Sequence, residues 1–273
     1  MINRVWRASL DLRFRYDGVR TVIDRRKHFG PLRIQKPFYP EDGACHAYIL
    51  HPPGGIAGGD ELSIRAEVKH KGAALLTTPA SAKIYRSAGS LSKVSNTLSL
   101  ADDSSLEWLP QDTVLFGGSR LAQATRINAT SQSRFLVWEI LSLGREASGD
   151  CYEDGELEQS LQINIDGLPR LIERQSWSAG ELILSSVWGL NGNTAFGSLY
   201  GFPADQEVLR HARQILNKDG FNEMAATLVD NILVVRGIAM DAVRLRNAFV
   251  WVWIQLRQFI AWLQPSPPRI WAT

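Results

Sequence analysis

The chain has 273 residues, 45% of them hydrophobic and 21% charged, the balance of a globular protein able to bury a substantial core. Thirty Lys and Arg against 28 Asp and Glu leave a formal charge of +2. Its one short basic run, Arg25-Arg26-Lys27, reads as a solvated turn, so composition argues against a nucleic-acid partner.

From Met1 to Phe14, charged and apolar residues alternate without the continuous apolar core of a signal peptide. Cys45 and Cys151 lie far apart and form no metal-ligand spacing, so they read as reduced, buried thiols of a cytoplasmic protein. Ala44 to Leu50 reads as a strand, which would point Cys45 and His46 to opposite faces and keep them from sharing an ion with His51. His28, His70 and His211 are scattered. Next comes His51-Pro52-Pro53-Gly54-Gly55-Ile56-Ala57-Gly58-Gly59-Asp60, with four glycines in six residues. No Lys-Ser/Thr follows it and the next element is a strand, so a tight β-to-β crossover is expected rather than a phosphate cradle.

Leu62 to His70 alternates cleanly, with Leu62, Ile64, Ala66 and Val68 on one face and Ser63, Arg65, Glu67 and Lys69 on the other. The same period of two recurs in Val94 to Leu100, Leu121 to Ile127 and Leu157 to Ile165. Between them, Thr77 to Gly89 holds Ser81, Lys83 and Ser87, but no Gly-x-Ser-x-Gly elbow, so a turn is preferred to a nucleophile. Phe135 to Leu143 and Leu182 to Val187 are apolar on both faces, the pattern of interior strands.

Two segments depart from the strand pattern. Asp205 to Asn217 places Val208, Leu209, Ala212, Ile215 and Leu216 on one helical face. Asp241 to Leu263 reads as an aromatic-rich helix ending before Pro265. Its segment Ala248 to Leu263 is too short for a bilayer and contains Gln255, Arg257 and Gln258, so no membrane association is expected. The expected fold is a single, mainly β domain over 1–273, built of stacked or sandwiched sheets. Its β-rich part is 1–200, its helices lie late, within 205–217 and 241–263, and 264–273 forms a tail.

Three acids sit in apolar company: Asp60, Glu139 and Glu173. A carboxylate in an interior strand must be paired, protonated or facing a wet cavity. Singly, each reads as half of an internal ion pair, with Arg134, Arg145, Arg170 or Arg174 as partner. Together they imply a polar passage through a β body.

Five ordered motifs then carry a family resemblance. His51-Pro52-Pro53-Gly54-Gly55 with Gly58-Gly59-Asp60 opens the series, followed by Thr77-Thr78-Pro79, Lys83 and Tyr85-Arg86-Ser87-Ala88-Gly89. Then come Leu106-Glu107-Trp108-Leu109-Pro110-Gln111, Leu143-Gly144-Arg145 with Ser148-Gly149-Asp150, and the ending Pro268-Arg269-Ile270-Trp271-Ala272-Thr273. This set resembles the UreD (UreH) family of urease accessory proteins. Two departures are visible: Leu256-Arg257-Gln258 stands where the family often has Leu-Arg-Pro, and Glu139 where it often has Asp.

The resemblance implies a non-catalytic scaffold that binds the helical accessory protein UreF, recruits the GTPase UreG and docks on apo-urease. It also implies transient passage of Ni2+ by Asp60, Ser87, Glu139 and Glu173, with no permanently bound cofactor. Trp251, Trp253, Phe259, Trp262, Arg269 and Trp271 would supply a partner surface. A pure scaffold that never touches nickel is the nearest alternative. More distant ones are a β-rich enzyme using Ser87 or using metal at His46 and His51, and a tryptophan-rich carbohydrate-binding sandwich.

Overall fold

The computed structural model describes residues 6–40, 42–145, 148–218, 220–221 and 223–272. The start of the Met1 to Phe14 stretch and Thr273 of the closing motif lie outside these residues.

Two β-sheets and a helical layer are stacked on one another. The first sheet has seven strands: β1 (Arg7–Tyr16), β2 (Thr21–Phe29), β5 (Glu61–Val68), β8 (Ser92–Leu100), β11 (Ser119–Ala129), β13 (Gly155–Ile165) and β14 (Leu168–Ser178). They lie in the order β14-β13-β11-β8-β5-β1-β2. The second sheet has a path through β3 (Arg33–Ile34), β4 (Cys45–Leu50), β6 (Ala73–Thr77), β9 (Ser105–Trp108), β12 (Arg134–Leu143), β15 (Ala195–Phe202), β16 (Met224–Val229) and β17 (Ile232–Ala239). Their order is β16-β17-β15-β12-β9-β6-β4-β3, with β7 (Ala82–Ile84) and β10 (Thr113–Leu115) joined beside β12.

From β4 to β13 the chain winds as a flattened coil, delivering strands in turn to one sheet and then the other. The strands in the middle of each sheet therefore pair in parallel: Cys45 lies beside Ala74, Ala73 beside Ser105, and Ser105 beside Arg134. In the first sheet Glu61 lies beside Lys93 and Leu121 beside Ser92. The winding repeats although no sequence repeat marks it, because each coil needs only an inward apolar stripe and a turn.

Alternation assigns the faces. In β12, Phe135, Val137, Leu141 and Leu143 enter the core between the sheets, while Leu136, Trp138 and Ile140 enter a second core under the helices. That explains a strand apolar on both faces: it is covered by a sheet on one side and by helices on the other. The same alternation puts Cys45 in the inter-sheet core and His46 on the helix side.

Helix α2 (Gln206–Lys218) and helix α3 (Ala242–Ile260) form the third layer. Asp205 accepts from the backbone N–H groups of Glu207 and Val208, both at 2.9 Å, and Asp241 accepts from that of Arg244 at 2.7 Å. These are N-caps that satisfy otherwise orphaned donors. At Leu256-Arg257-Gln258 α3 continues uninterrupted to Ile260, and Trp262, at φ +57°, turns the chain away.

Three expectations need correction. Cys151, expected to be buried like Cys45, is exposed. Leu182 to Val187 is no interior strand. Leu182–Ser185 forms a single helical turn, α1, beyond the edge strand β14, with Leu182 and Val187 exposed. The left-handed Gly180, at φ +82°, separates β14 from it, and the turn lays Ile183 and Leu184, half-buried, against the rim of the inter-sheet core. The strands also run past residue 200, because β16 and β17 form a hairpin between the helices. Its two turn residues, Asp230 and Asn231, have φ of +46° and +62°, the left-handed pair that matches strand twist across a two-residue turn.

Candidate functional site

Glu139 sits on the inter-sheet face of β12, at the position where Leu or Val would continue the core. It is 5% exposed and lines two cavities at once. One, of about 660 Å³, opens between β14 and the β16–β17 hairpin and includes Glu173, Tyr200 and Arg236. The other, of about 360 Å³, lies behind the first half of the glycine loop and includes His51, Gly55, Asn96 and Trp108.

The inward stripe of the seven-stranded sheet receives the Glu139 carboxylate. Thr125 Oγ1 donates to one oxygen at 2.5 Å and Gln159 Nε2 to the other at 2.8 Å, while Gln123 of the same stripe lines the smaller cavity with it. Gln175 donates in turn to Gln159 Oε1, and Asn96 Nδ2 donates to Thr125 Oγ1 at 3.1 Å. Strand register builds this row, with Gln175 beside Gln159, Gln159 beside Gln123, and Thr125 beside Asn96. Burial pushes the Glu139 carboxyl above its ordinary range, and nearby Glu173 adds to the push, while the hydrogen bonds oppose it.

Glu173 faces the larger cavity. Tyr200 Oη donates to one of its oxygens at 2.9 Å and Arg236 pairs with the other. Burial and the two neighbouring carboxylates raise the Tyr200 phenol well above its usual value. None of the four arginines expected beside these acids takes that place. Arg170 pairs with Asp230 at 3.0 Å and Arg145 with Asp150 at 3.5 Å; Arg134 stacks over the Trp262 ring, and Arg174 lines the larger cavity. Glu139 is held by neutral donors instead.

Asp60 and Ser87 are brought together elsewhere, around the second half of the glycine loop. Asp60 accepts from the Ala57 backbone N–H at 2.9 Å and closes the turn. Ser87 Oγ donates to the Ser90 carbonyl at 2.6 Å, and a Cβ on Gly58 would collide with Ser87. The first half of the loop walls the smaller cavity: a Cβ on Gly55 would lie 2.7 Å from the Lys83 carbonyl and the Tyr85 ring. Of the four acids and hydroxyls in the candidate path, Glu139 and Glu173 share a cavity, whereas Asp60 and Ser87 line neither of these two.

Reading the sequence missed Asn96, Gln123, Thr125 and Gln159. Their signal was present: three adjacent alternating strands each carry a polar residue in an otherwise apolar inward stripe. Among the described residues no three His, Cys, Asp or Glu side chains gather as a metal-binding group. His46 and His51 face different layers, the first bonded to Asp42 at 2.9 Å under the helices and the second lining the inter-sheet cavity.

The expected partner residues divide. Trp251, Phe259 and Trp262 are 40%, 42% and 71% exposed, and Arg269 is exposed. Trp253 is instead fully buried and donates to Glu107 at 2.6 Å, so it serves the interior and presents nothing to a partner. Trp271 is half-buried, donates to Thr77 Oγ1 at 2.9 Å and packs on Trp138 and Trp253. The closing motif thus docks the tail onto β6 and α3. No helix among the described residues is long and apolar enough to cross a membrane.

Comparison with known proteins fits this architecture to its motifs. The family model described as UreD urease accessory protein matches residues 7–272. The urease accessory protein UreD of Alkalilimnicola ehrlichii is 40% identical over 98% of this chain and 92% of its own length. That of Klebsiella aerogenes is 39% identical over 100% of this chain and 98% of its own, and that of Pseudomonas putida 40% over 98% and 95%. Matched from its first strand to its docked tail, the chain belongs to the UreD family of urease accessory proteins.

Proposed function

We propose that this chain is a non-catalytic scaffold of cytoplasmic urease maturation that also conducts Ni2+, as cargo, through its β body. In this reading UreF and the GTPase UreG bind it, it docks on apo-urease, and nickel passes Glu139 and Glu173. The observation that carries the conduit is the position of Glu139, one buried carboxylate lining a cavity on each side. A carboxylate there costs stability at neutral pH, so a wholly structural role would be better served by Gln or Leu.

Oxygen donors suit the task. A closed Cys/His cage would hold a late divalent metal too tightly to release it, whereas carboxylate, hydroxyl and amide oxygens bind it weakly. Asp60 and Ser87 lie off the two cavities, so in this reading they shape the loop at the smaller cavity's wall. The exposed aromatics of α3 fit a protein partner, since Trp and Phe are enriched at interface cores and Trp is a frequent hot spot there.

Glu139→Gln and Glu173→Gln, singly and together, test the conduit. Urease activation should fall while assembly of the accessory complex, read by co-purification, stays intact. Full activation by a folded double variant would leave a pure scaffold.

A further inference from the structure

The larger cavity opens between β14 and the β16–β17 hairpin, and one ion pair spans that opening, from Glu173 on β14 to Arg236 on β17. We propose that Arg236 is a displaceable counter-ion that competes with the cargo for Glu173. It holds Glu173 between passages and moves to Glu223 when a divalent cation takes its place. This rests on the conduit reading and adds the residue that keeps Glu173 a weak, releasing stop.

Exposure decides which contact on Glu173 yields. Tyr200 Oη donates to one carboxylate oxygen at 2.9 Å from a residue 3% exposed, so packing fixes that contact. Arg236 takes the other oxygen with its side chain 55% exposed. An ion pair so open to water is worth no more than about fivefold in an equilibrium, because solvent screens it and the long side chains lose freedom. A guanidinium also keeps its proton at any working pH, so a cation reaching this carboxylate has to displace it. At Glu139 the donors, Thr125 and Gln159, are neutral, so the competition belongs to Glu173.

A second seat for the guanidinium is at hand. Across the hairpin Arg236 lies beside Ala225, and Glu223, two residues earlier, lines the same cavity. Diagonal neighbours of this kind are within reach of a long side chain. Glu223 is loosely held, with Arg244 at 3.3 Å from each of its oxygens. Arg236 therefore has two carboxylates within its range, and a cation on Glu173 selects the second.

The full chain, co-purified with its accessory partners and labelled with fluorotryptophan, is titrated with Ni2+ to test this. Trp188, 71% exposed on the wall of the same cavity, reports through paramagnetic broadening of its resonance, assigned by Trp188→Phe. Arg236→Gln should bind Ni2+ up to about fivefold more tightly, the gain from removing one competing exposed pair. Glu223→Gln should weaken binding by itself and change it little in the Arg236→Gln background, because its effect runs through Arg236. Unchanged or weaker binding by Arg236→Gln overturns the proposal. So does an equal effect of Glu223→Gln in both backgrounds, which would make Glu223 a plain acid near the ion. Both results leave the conduit standing, since the urease activation of Glu139→Gln and Glu173→Gln reads it separately. Glu223→Gln alone remains decisive if Arg236→Gln does not fold, because unchanged binding there overturns the proposal as well.

Discussion

The guanidinium of Arg257 forks across the carboxylate of Glu107, with Nε 2.9 Å from one oxygen and Nη2 2.6 Å from the other, both side chains wholly buried. Its Nη1 reaches Asp42 at 2.7 Å, and Asp42 in turn holds His46. Four elements meet here: α3, β9, β4 and the segment before it. Arg257 also donates to the Gln264 carbonyl, which ties down the chain entering the tail. Removing the cation would strand two buried carboxylates, so Arg257→Met should cost about 3–5 kcal/mol in denaturant unfolding. Combining it with Glu107→Gln and Asp42→Asn should recover much of that loss. A single variant within 1 kcal/mol, by the same unfolding measurement, would mean that the cluster does not anchor the helix.

Asp42 and Glu139 should respond to pH with opposite signs. Burial opposes ionisation of Asp42, yet His46 and Arg257 together hold its carboxyl below the ordinary range. Its contribution is then present above the unfolded carboxylate value and lost as pH falls through the lower folded value. Glu139 is raised, so the folded state binds its proton more tightly than the unfolded one does. Stability from this group is full below the unfolded value and declines as pH rises through the folded one. Unfolding free energies of Glu139→Gln minus the unmodified chain should therefore increase from acid toward neutral pH, and those of Asp42→Asn should decrease. A flat difference for Glu139→Gln would show that its carboxyl titrates as it does in the unfolded chain.

What could be read from the sequence follows from period and punctuation. Leu62 to Val68 and Leu121 to Ile127 declared their inner faces because one side of each is wet. Leu182 to Val187 misled because apolar residues on both faces fit a buried strand and also a turn packed at the core's rim, and only the tertiary structure separates them. The Asp230–Asn231 hairpin was marked by its own turn residues between two apolar runs. For the site, Glu139 stood out as a charge among apolar neighbours. Gln159 and Asn96 did not, because a polar residue in an alternating strand looks ordinary until register places it beside another. Arg257 was invisible as an anchor, since its partners Glu107 and Asp42 lie 150 and 215 residues away.

The two cysteines should separate by accessibility. Burial pushes the Cys45 thiol up to about 11, partly offset by a hydrogen bond with Tyr39, while Cys151 is exposed. The thiolate is the form that attacks a disulfide reagent, so the native chain at neutral pH should release one equivalent of chromophore and a second only on unfolding. Cys151→Ser should abolish the native signal. Two equivalents from the native chain would place Cys45 outside the core.

Gly55 lets the loop lie against β7. An added Cβ would press on both the Lys83 carbonyl and the Tyr85 ring at 2.7 Å, and a backbone oxygen cannot move aside alone. Gly55→Ala should cost about 1–3 kcal/mol, the usual range for overpacking, and loosen the wall of the smaller cavity. Gly55 has no left-handed φ, so crowding is the penalty an added Cβ meets there. An unchanged unfolding free energy for Gly55→Ala would remove the packing explanation.

The aromatic residues of α3, with Trp262 just past its end, give the sharpest division between stability and assembly. Trp253 is fully buried and bonded to Glu107, so Trp253→Ala should cost about 3–5 kcal/mol, as for other buried tryptophans. Trp262 is 71% exposed, its main tie being the Arg134 guanidinium over its ring, so Trp262→Ser should cost no more than about 1 kcal/mol. If the exposed face of α3 docks UreF, the combined Trp251→Ser, Phe259→Ser and Trp262→Ser variant should remain folded and lose at least roughly 30-fold in affinity, the effect of one interface hot spot. Thermal unfolding and titration of the purified pair read the two quantities independently. Unchanged affinity in a folded triple variant would move the docking surface off this helix, leaving these side chains as a cover for the second sheet.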